Sequence, residues 1–210
     1  CDRAIDYSKM RQFRKRVLTK AVRMAGPFSV QTSEGALTCR DGWLCFDARG
    51  TAFVVEMRDY PLGCGPDHKP CGTVRMLEDT DGDGHPDKAS LFAENLSFPT
   101  SITPWRGGVL VTAPPQVVWL RDEDGDGRAD VRRTVVRGFK LGVTDSNANG
   151  LRWGLDNHIH GLNGGNGGRV SAASGDGATV ALGQDDFRFH PVTGRLEATF
   201  ETGGGYGLAF

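Results

Sequence analysis

Eight aspartates carry the strongest chemical signal in the chain. They lie in two nine-residue stretches, DTDGDGHPD from Asp79 to Asp87 and DEDGDGRAD from Asp122 to Asp130, whose first residues are 43 positions apart. The shared spacing D-x-D-x-D-G-x-x-D offers carboxylates from Asp79, Asp81, Asp83 and Asp87 in the first stretch. Asp122, Asp124, Asp126 and Asp130 offer them in the second. Backbone carbonyls at His85 and Arg128 fall at the seventh position, and a glycine before each permits a sharp turn. This is the ligand order of an EF-hand-type calcium loop, suited to a hard cation that takes several oxygens. The twelfth position, a bidentate glutamate in an EF-hand, is Ser90 in one loop and Arg133 in the other. Water would then complete the coordination sphere, and affinity should fall to about 10⁻⁴ to 10⁻³ M, as in extracellular modules. The competing reading is a solvated acidic turn without metal, and its recurrence at equivalent places weighs against it.

Two further groups of residues could do chemistry. Glu56, Arg58 and Asp59 in VVEMRDYPLGCG follow an apolar strand, a cluster able to bind a polar ligand or exchange a proton. A salt-bridged loop end is the plainer reading of the same residues. The segment NGLRWGLDNHIHGLNG holds Arg152, Asp156, Asn157, His158 and His160. His158 and His160 flank Ile159, so on a strand they share a face. Two imidazoles on one face could ligate a metal, although no third ligand is evident. The neighbouring Gly/Asn run has neither nucleotide-loop spacing, and no GxSxG elbow occurs.

The elements that position these residues repeat. LCFDARGTAFVVEM, SITPWRGGVLVTA and GLRWGLDNHIHGLNG each read as strand, turn, strand, and GLAF starts a fourth copy. Aligned on their turns, Phe46, Pro104, Trp153 and Phe210 correspond at intervals of 58, 49 and 57. A second hairpin follows each copy: GTVRMLED to KASLFAEN, QVVWLRD to VRRTVVRGF, and DDFRFHPVTGRLEATF. An aspartate loop connects the first two, and the plain turn HPVTGR connects the third. Two hairpins per repeat make a four-stranded unit of the size of a β-propeller blade. The expected fold class is therefore all-β: a partial β-propeller of about three four-stranded blades, from a ring expected to hold six, with a short N-terminal helix. The Gly/Asn/Ser-rich insert within 141–184 is expected on one face, near a central channel.

Residues 1–40 read as a basic N-terminal segment, a helix plus linker, and 41–210 as the incomplete propeller. Met10, Phe13, Val17 and Ala21 recur at helical spacing among Arg and Lys. A solvated lead-in helix, a membrane-surface or partner-binding helix, and sequence foreign to the fold all remain open. The chain does not begin with Met and stops in mid-pattern, so it is expected to be a fragment or a processed chain. Charged residues make up 24% with a net charge of −1, which gives no global field for nucleic acid or an anionic membrane. No stretch reaches the roughly 20 apolar residues of a membrane span. Cys64 and Cys71 bracket a short loop and could pair in an oxidising compartment. No CxxC or CxxCH occurs among the five cysteines.

Taken in order, FVVEMRDYP, VRMLEDTDGDGHPDKASLFAENLSFPTSITPWRGGVLVTAPP, VVWLRDEDGDGRADVRRTVV and NGLRWGLDNHIHGLNG resemble the N-terminal β-propeller of bacterial membrane-bound dehydrogenases. These are large haem-binding CxxCH proteins, and their propeller is similar to soluble quinoprotein glucose/sorbosone dehydrogenases. The resemblance runs over about residues 42–210. It implies a periplasmic or cell-surface oxidoreductase acting on a sugar or alcohol, with pyrroloquinoline quinone as cofactor and a cytochrome c module as electron acceptor. On that reading Arg152 holds an anionic cofactor or substrate group and Asp59 serves as base. Asn157 orients, with Arg58 beside them. The rival expectation is a non-catalytic propeller that binds glycan or protein, its calcium ions being structural.

Overall fold

The computed structural model describes residues 28–32, 35–39, 43–174 and 178–200. The amphipathic stretch expected to be a helix lies outside the described residues. Within the segment read as a linker, β1 (Phe28–Thr32) and β2 (Gly35–Cys39) form an antiparallel hairpin. Among the described residues there is no α-helix, only a 3₁₀ turn at Thr144–Ser146.

Three consecutive antiparallel sheets follow. The first has the order β3 (Leu44–Phe46), β4 (Ala52–Glu56), β5 (Gly72–Glu78) and β6 (Lys88–Leu96). The second contains β7 (Ser101–Trp105), β8 (Gly108–Ala113), β9 (Gln116–Arg121) and β10 (Val131–Phe139). The third contains β11 (Asn149–Trp153), β12 (Ile159–Leu162), β15 (Phe187–Phe189) and β16 (Leu196–Ala198). Each expected hairpin is present, and the two aspartate stretches connect β5 to β6 and β9 to β10.

Alternation along the strands explains how the sheets stack. In β8, Val109 and Val111 enter a core shared with the first sheet, where Phe53, Met76 and Phe92 lie. Leu110 turns the other way, into a core shared with Leu151, Ile159, Phe187 and Phe189 of the third sheet. In β9, Val118 and Leu120 face the first core, while Val117 and Trp119 face the second. Successive side chains on a strand point to opposite faces, so the second sheet is a middle layer covered on both sides. That is why VLVTA reads as a continuous apolar run and all six residues of β8 are buried.

The first strands of the sheets lie side by side, β7 against both β3 and β11. Polar groups pin β7 to β11: Leu151 N–H donates to Ser101 Oγ at 3.2 Å, and Trp153 Nε1–H to the Pro104 carbonyl at 3.1 Å.

The insert divides: Asn166 stays beside the start of β11, its N–H donating to the Ser146 carbonyl at 3.3 Å, while the rest leaves the first strands. Its strands β13 (Gly168–Ala172) and β14 (Val180–Ala181) extend the second sheet beyond β10, its far edge. An edge strand offers unpaired N–H and C=O groups, and β13 satisfies them. The two backbones approach closely at Gly138, where a Cβ would stand 2.1 Å from the Arg169 carbonyl oxygen.

Candidate metal centres and central cluster

Both aspartate stretches fold into the same loop through the same hydrogen bonds. Asp79 accepts the N–H groups of Gly82 at 2.7 Å and Gly84 at 2.9 Å. Asp122 accepts those of Gly125 at 2.7 Å and Gly127 at 3.0 Å. Asp81 and Asp124 each accept the N–H two residues on, at 3.1 Å, and Asp83 and Asp126 do the same at 2.7 Å. The ninth-position carboxylate closes each loop: Asp87 takes the Thr80 N–H and hydroxyl, and Asp130 the Glu123 N–H. Gly84 and Gly127 have φ of +90° and +88°, the left-handed region that only glycine enters freely.

This framework gathers charge. Oxygens of Asp79, Asp81 and Asp87 lie within 4.8 Å of one another, and so do those of Asp122, Asp124 and Asp130. The Thr80 hydroxyl holds the Asp87 carboxyl below the usual carboxylate range. Burial works to raise Asp122, but the N–H groups of Gly125 and Gly127 outweigh it and leave that carboxyl low as well. Both clusters offer hard oxygen donors, a set that fits Ca²⁺ and whose crowded carboxylates a divalent cation would bridge. Ser90 and Arg133, the twelfth positions, lie within β6 and β10, and the Arg133 guanidinium sits 4.8 Å from the Trp119 ring centroid. Neither supplies a carboxylate.

The second loop is also built into the seam between sheets. Ala129 N–H donates to the Phe92 carbonyl at 2.8 Å, and Ala129 packs against the first core. The Arg132 fork donates to the carbonyls of Glu94 at 3.1 Å and Asn95 at 3.0 Å, both on β6. In the first loop Pro86 and Ala89 hold the matching positions, so both the N–H and the fork are missing there.

The residues proposed for catalysis are dispersed. Arg58 lies against Glu56, Nε to Oε2 3.4 Å, and Glu56 also takes Arg75 and the Thr73 hydroxyl. Asp59 is fully buried. Its Oδ2 accepts the Phe98 N–H at 2.7 Å, just before β7, while its Oδ1 has no hydrogen-bond partner among the described residues. Burial pushes the Asp59 carboxyl up, against the pull of the Phe98 N–H. Asp59 thus stands where β7 begins. Asn157 follows the opposite end of β11, exposed in its turn at φ +58°. A five-residue strand spans about 17 Å, so these two residues do not meet.

Arg152 takes a different direction. From β11 its guanidinium reaches the first sheet and lies 5.3 Å from the Trp43 ring centroid. Cys45 is in the same neighbourhood: burial pushes its thiol up to about 12, with Asp47 adding to the rise and Arg152 opposing it. The sequence reading missed Trp43 as a partner, because the pairing joins residues more than a hundred positions apart.

His158 and His160 do share a face, and Asp156 is what they share. His160 Nε2 lies 3.1 Å from both Asp156 carboxylate oxygens, and His158 Nδ1 lies 2.9 Å from the Asp156 carbonyl. Arg188 reaches the same carboxylate at 2.9 Å and continues to Glu197 at 2.7 Å. Burial opposes the ionisation of Asp156, but the hydrogen bonds from His160 and His158 outweigh it and bring the carboxyl to about 2. The alternating spacing of Asp156, His158 and His160 was the available signal for this hub. Among the described residues, the groups of three or more ligand side chains close enough for a metal ion are the two aspartate clusters, not this one. Cys64 and Cys71 form a disulfide, their Cα atoms 6.0 Å apart.

No curated protein matches the chain. The model of the family described as "Domain of unknown function (DUF7133)" matches residues 42–210, the span of the repeated sheets and both aspartate loops, and the chain belongs to that family.

Proposed function

We infer that the chain is a calcium-binding part of a β-propeller, carried by an exported, dehydrogenase-like protein. One observation carries this reading: the same aspartate loop closes the same hairpin in two successive four-stranded meanders whose first strands lie side by side. Meanders repeated around their first strands are how propeller blades are arranged. Asp79, Asp81 and Asp87 would hold one ion, with Asp83 and the His85 carbonyl completing its loop. Asp122, Asp124 and Asp130 would hold the other, with Asp126 and the Arg128 carbonyl. Bound calcium neutralises the clustered charge and stiffens each loop. In the second loop that stiffness passes to the first sheet through Ala129 and Arg132. An exported location agrees with the Cys64–Cys71 disulfide, since such bonds persist in oxidising compartments.

Oxidation of a sugar or alcohol, with electrons passed to a cytochrome c module, rests on the sequence resemblance. Its site would be the Arg152 neighbourhood at the first strands, where a guanidinium and an indole face each other. The described residues gather no cationic cradle for pyrroloquinoline quinone, a tricarboxylate: Arg58 is engaged by Glu56 and Arg152 by Trp43. No step is assigned to that cofactor.

The second reading, a non-catalytic propeller that binds glycan or protein, is favoured by the full burial of Asp59 and its distance from Asn157. Dye-linked oxidation of sugars and alcohols, with quinone and Ca²⁺ added, separates the two. Turnover that is lost in Arg152→Ala supports the dehydrogenase. No turnover, with no quinone absorbance retained after dialysis, supports the binder.

A further inference from the structure

A cleft of about 290 Å³ opens at the seam between the first two sheets, bounded by β6, the end of β9 and the second aspartate loop. Nothing in the calcium reading uses it. Its walls are held in place by the bonds across the seam: Ala129 N–H to the Phe92 carbonyl, and the Arg132 fork to the carbonyls of Glu94 and Asn95. The cleft is therefore preformed, and its volume suits a ligand the size of one sugar ring, at the small end of ligand pockets.

The chemistry of the lining is uneven. Leu91, Ala93 and Ala129, all half-buried, supply a small apolar floor, and four polar side chains stand around it. Arg132 is committed to backbone carbonyls. The Arg128 guanidinium, the Glu94 carboxylate and the Asn95 amide have no side-chain partner among the described residues. Two guanidinium groups against one carboxylate leave the lining with net positive charge. A free guanidinium fork matches a carboxylate in two parallel hydrogen bonds. Glu94, as an ionised acceptor, and Asn95, as donor and acceptor, match hydroxyl groups. An apolar floor suits the C–H face of a ring.

We propose that this cleft binds a small hydroxy-carboxylate, of the class of a uronic acid, with its carboxylate on Arg128 and its hydroxyls on Glu94 and Asn95. A neutral sugar lacks the group that Arg128 would hold, and a simple carboxylate lacks the hydroxyls. Arg128 also contributes the seventh-position carbonyl of the second aspartate loop. That contribution comes from the backbone, so changing the side chain separates the cleft from the metal site.

The test is a titration followed by amide NMR on the 210-residue chain, with D-glucuronate, D-glucose and acetate as probes. D-Glucuronate should shift the amides of Glu94, Asn95 and Arg128, with D-glucose and acetate at least tenfold weaker. Arg128→Ala should weaken D-glucuronate at least tenfold while Ca²⁺ uptake is retained, and Glu94→Gln should weaken it severalfold. Equal binding of the three probes overturns the assignment. So does D-glucuronate binding unchanged in Arg128→Ala, or an absence of shifts at the cleft. Because Ca²⁺ uptake is measured on the same variants, failure of the metal reading and failure of the cleft give different results.

Discussion

The outer turns of the second and third sheets do the same structural job with different chemistry. In the third sheet, His190 to Arg195 closes the hairpin, and the His190 imidazole accepts the N–H groups of Val192 at 3.3 Å and Thr193 at 3.2 Å. In the second sheet, the Asp122 carboxylate accepts those of Gly125 and Gly127. In both turns the side chain at the head accepts two backbone N–H groups. The three further aspartates take backbone N–H groups as well, work that the third turn gives to neutral acceptors, the Thr193 hydroxyl and the His190 carbonyl, and they bring the carboxylates of Asp122, Asp124 and Asp130 within 4.8 Å of each other. What the comparison teaches is that the excess charge, rather than the turn, calls for a cation.

The largest expected effect is that of calcium on the whole chain. At a dissociation constant of about 10⁻⁴ to 10⁻³ M, each loop gains about 1.4 to 2.7 kcal/mol in 10 mM Ca²⁺. For a chain of this length, two sites should raise Tm by roughly 5–20 °C over the chelated protein. Differential scanning fluorimetry with and without chelator reads this directly, and an unchanged Tm would break the comparison.

Single variants sharpen it. Asp81→Asn and Asp124→Asn should each remove about half of the calcium-dependent rise. His190→Ala removes the acceptor of the third turn and should cost about 1 kcal/mol, equally with and without calcium. A calcium-dependent loss in His190→Ala would mean that the third turn is not metal-free.

The smallest effect concerns acid. Asp156 has a folded-state carboxyl depressed to about 2, against about 3.9 for an ordinary aspartate. Its stabilisation is full above the ordinary value and is lost as pH falls through the depressed one. Melting curves between about pH 5 and pH 2 should show this acid-sensitive step in the wild type and lack it in Asp156→Asn. The loop aspartates add a calcium-dependent step in both proteins, since Asp156→Asn leaves the two loops intact.

Features set by neighbours along the chain were legible in the sequence. Alternation and turn spacing predicted the two hairpins of each repeat, and the aspartate register predicted two like loops, which fold through the same hydrogen bonds. Features set by distant partners were not. The insert's preference for the β10 edge depends on which strand lacks a neighbour. The burial of Asp59 depends on Phe98, 39 positions away. Asn157 looked available for orienting a ligand, yet its type answers to a left-handed turn, which asparagine tolerates better than most residues. The β1–β2 hairpin carried a β-forming pattern, Phe28, Val30 and Thr32, that a basic segment upstream obscured.

Isothermal titration of Ca²⁺ into the chelator-treated chain tests the central claim most directly. The account predicts two sites of weak affinity, with Asp81→Asn and Asp124→Asn each abolishing one of them. Absence of calcium-specific heat, or two sites that survive both substitutions, would contradict it.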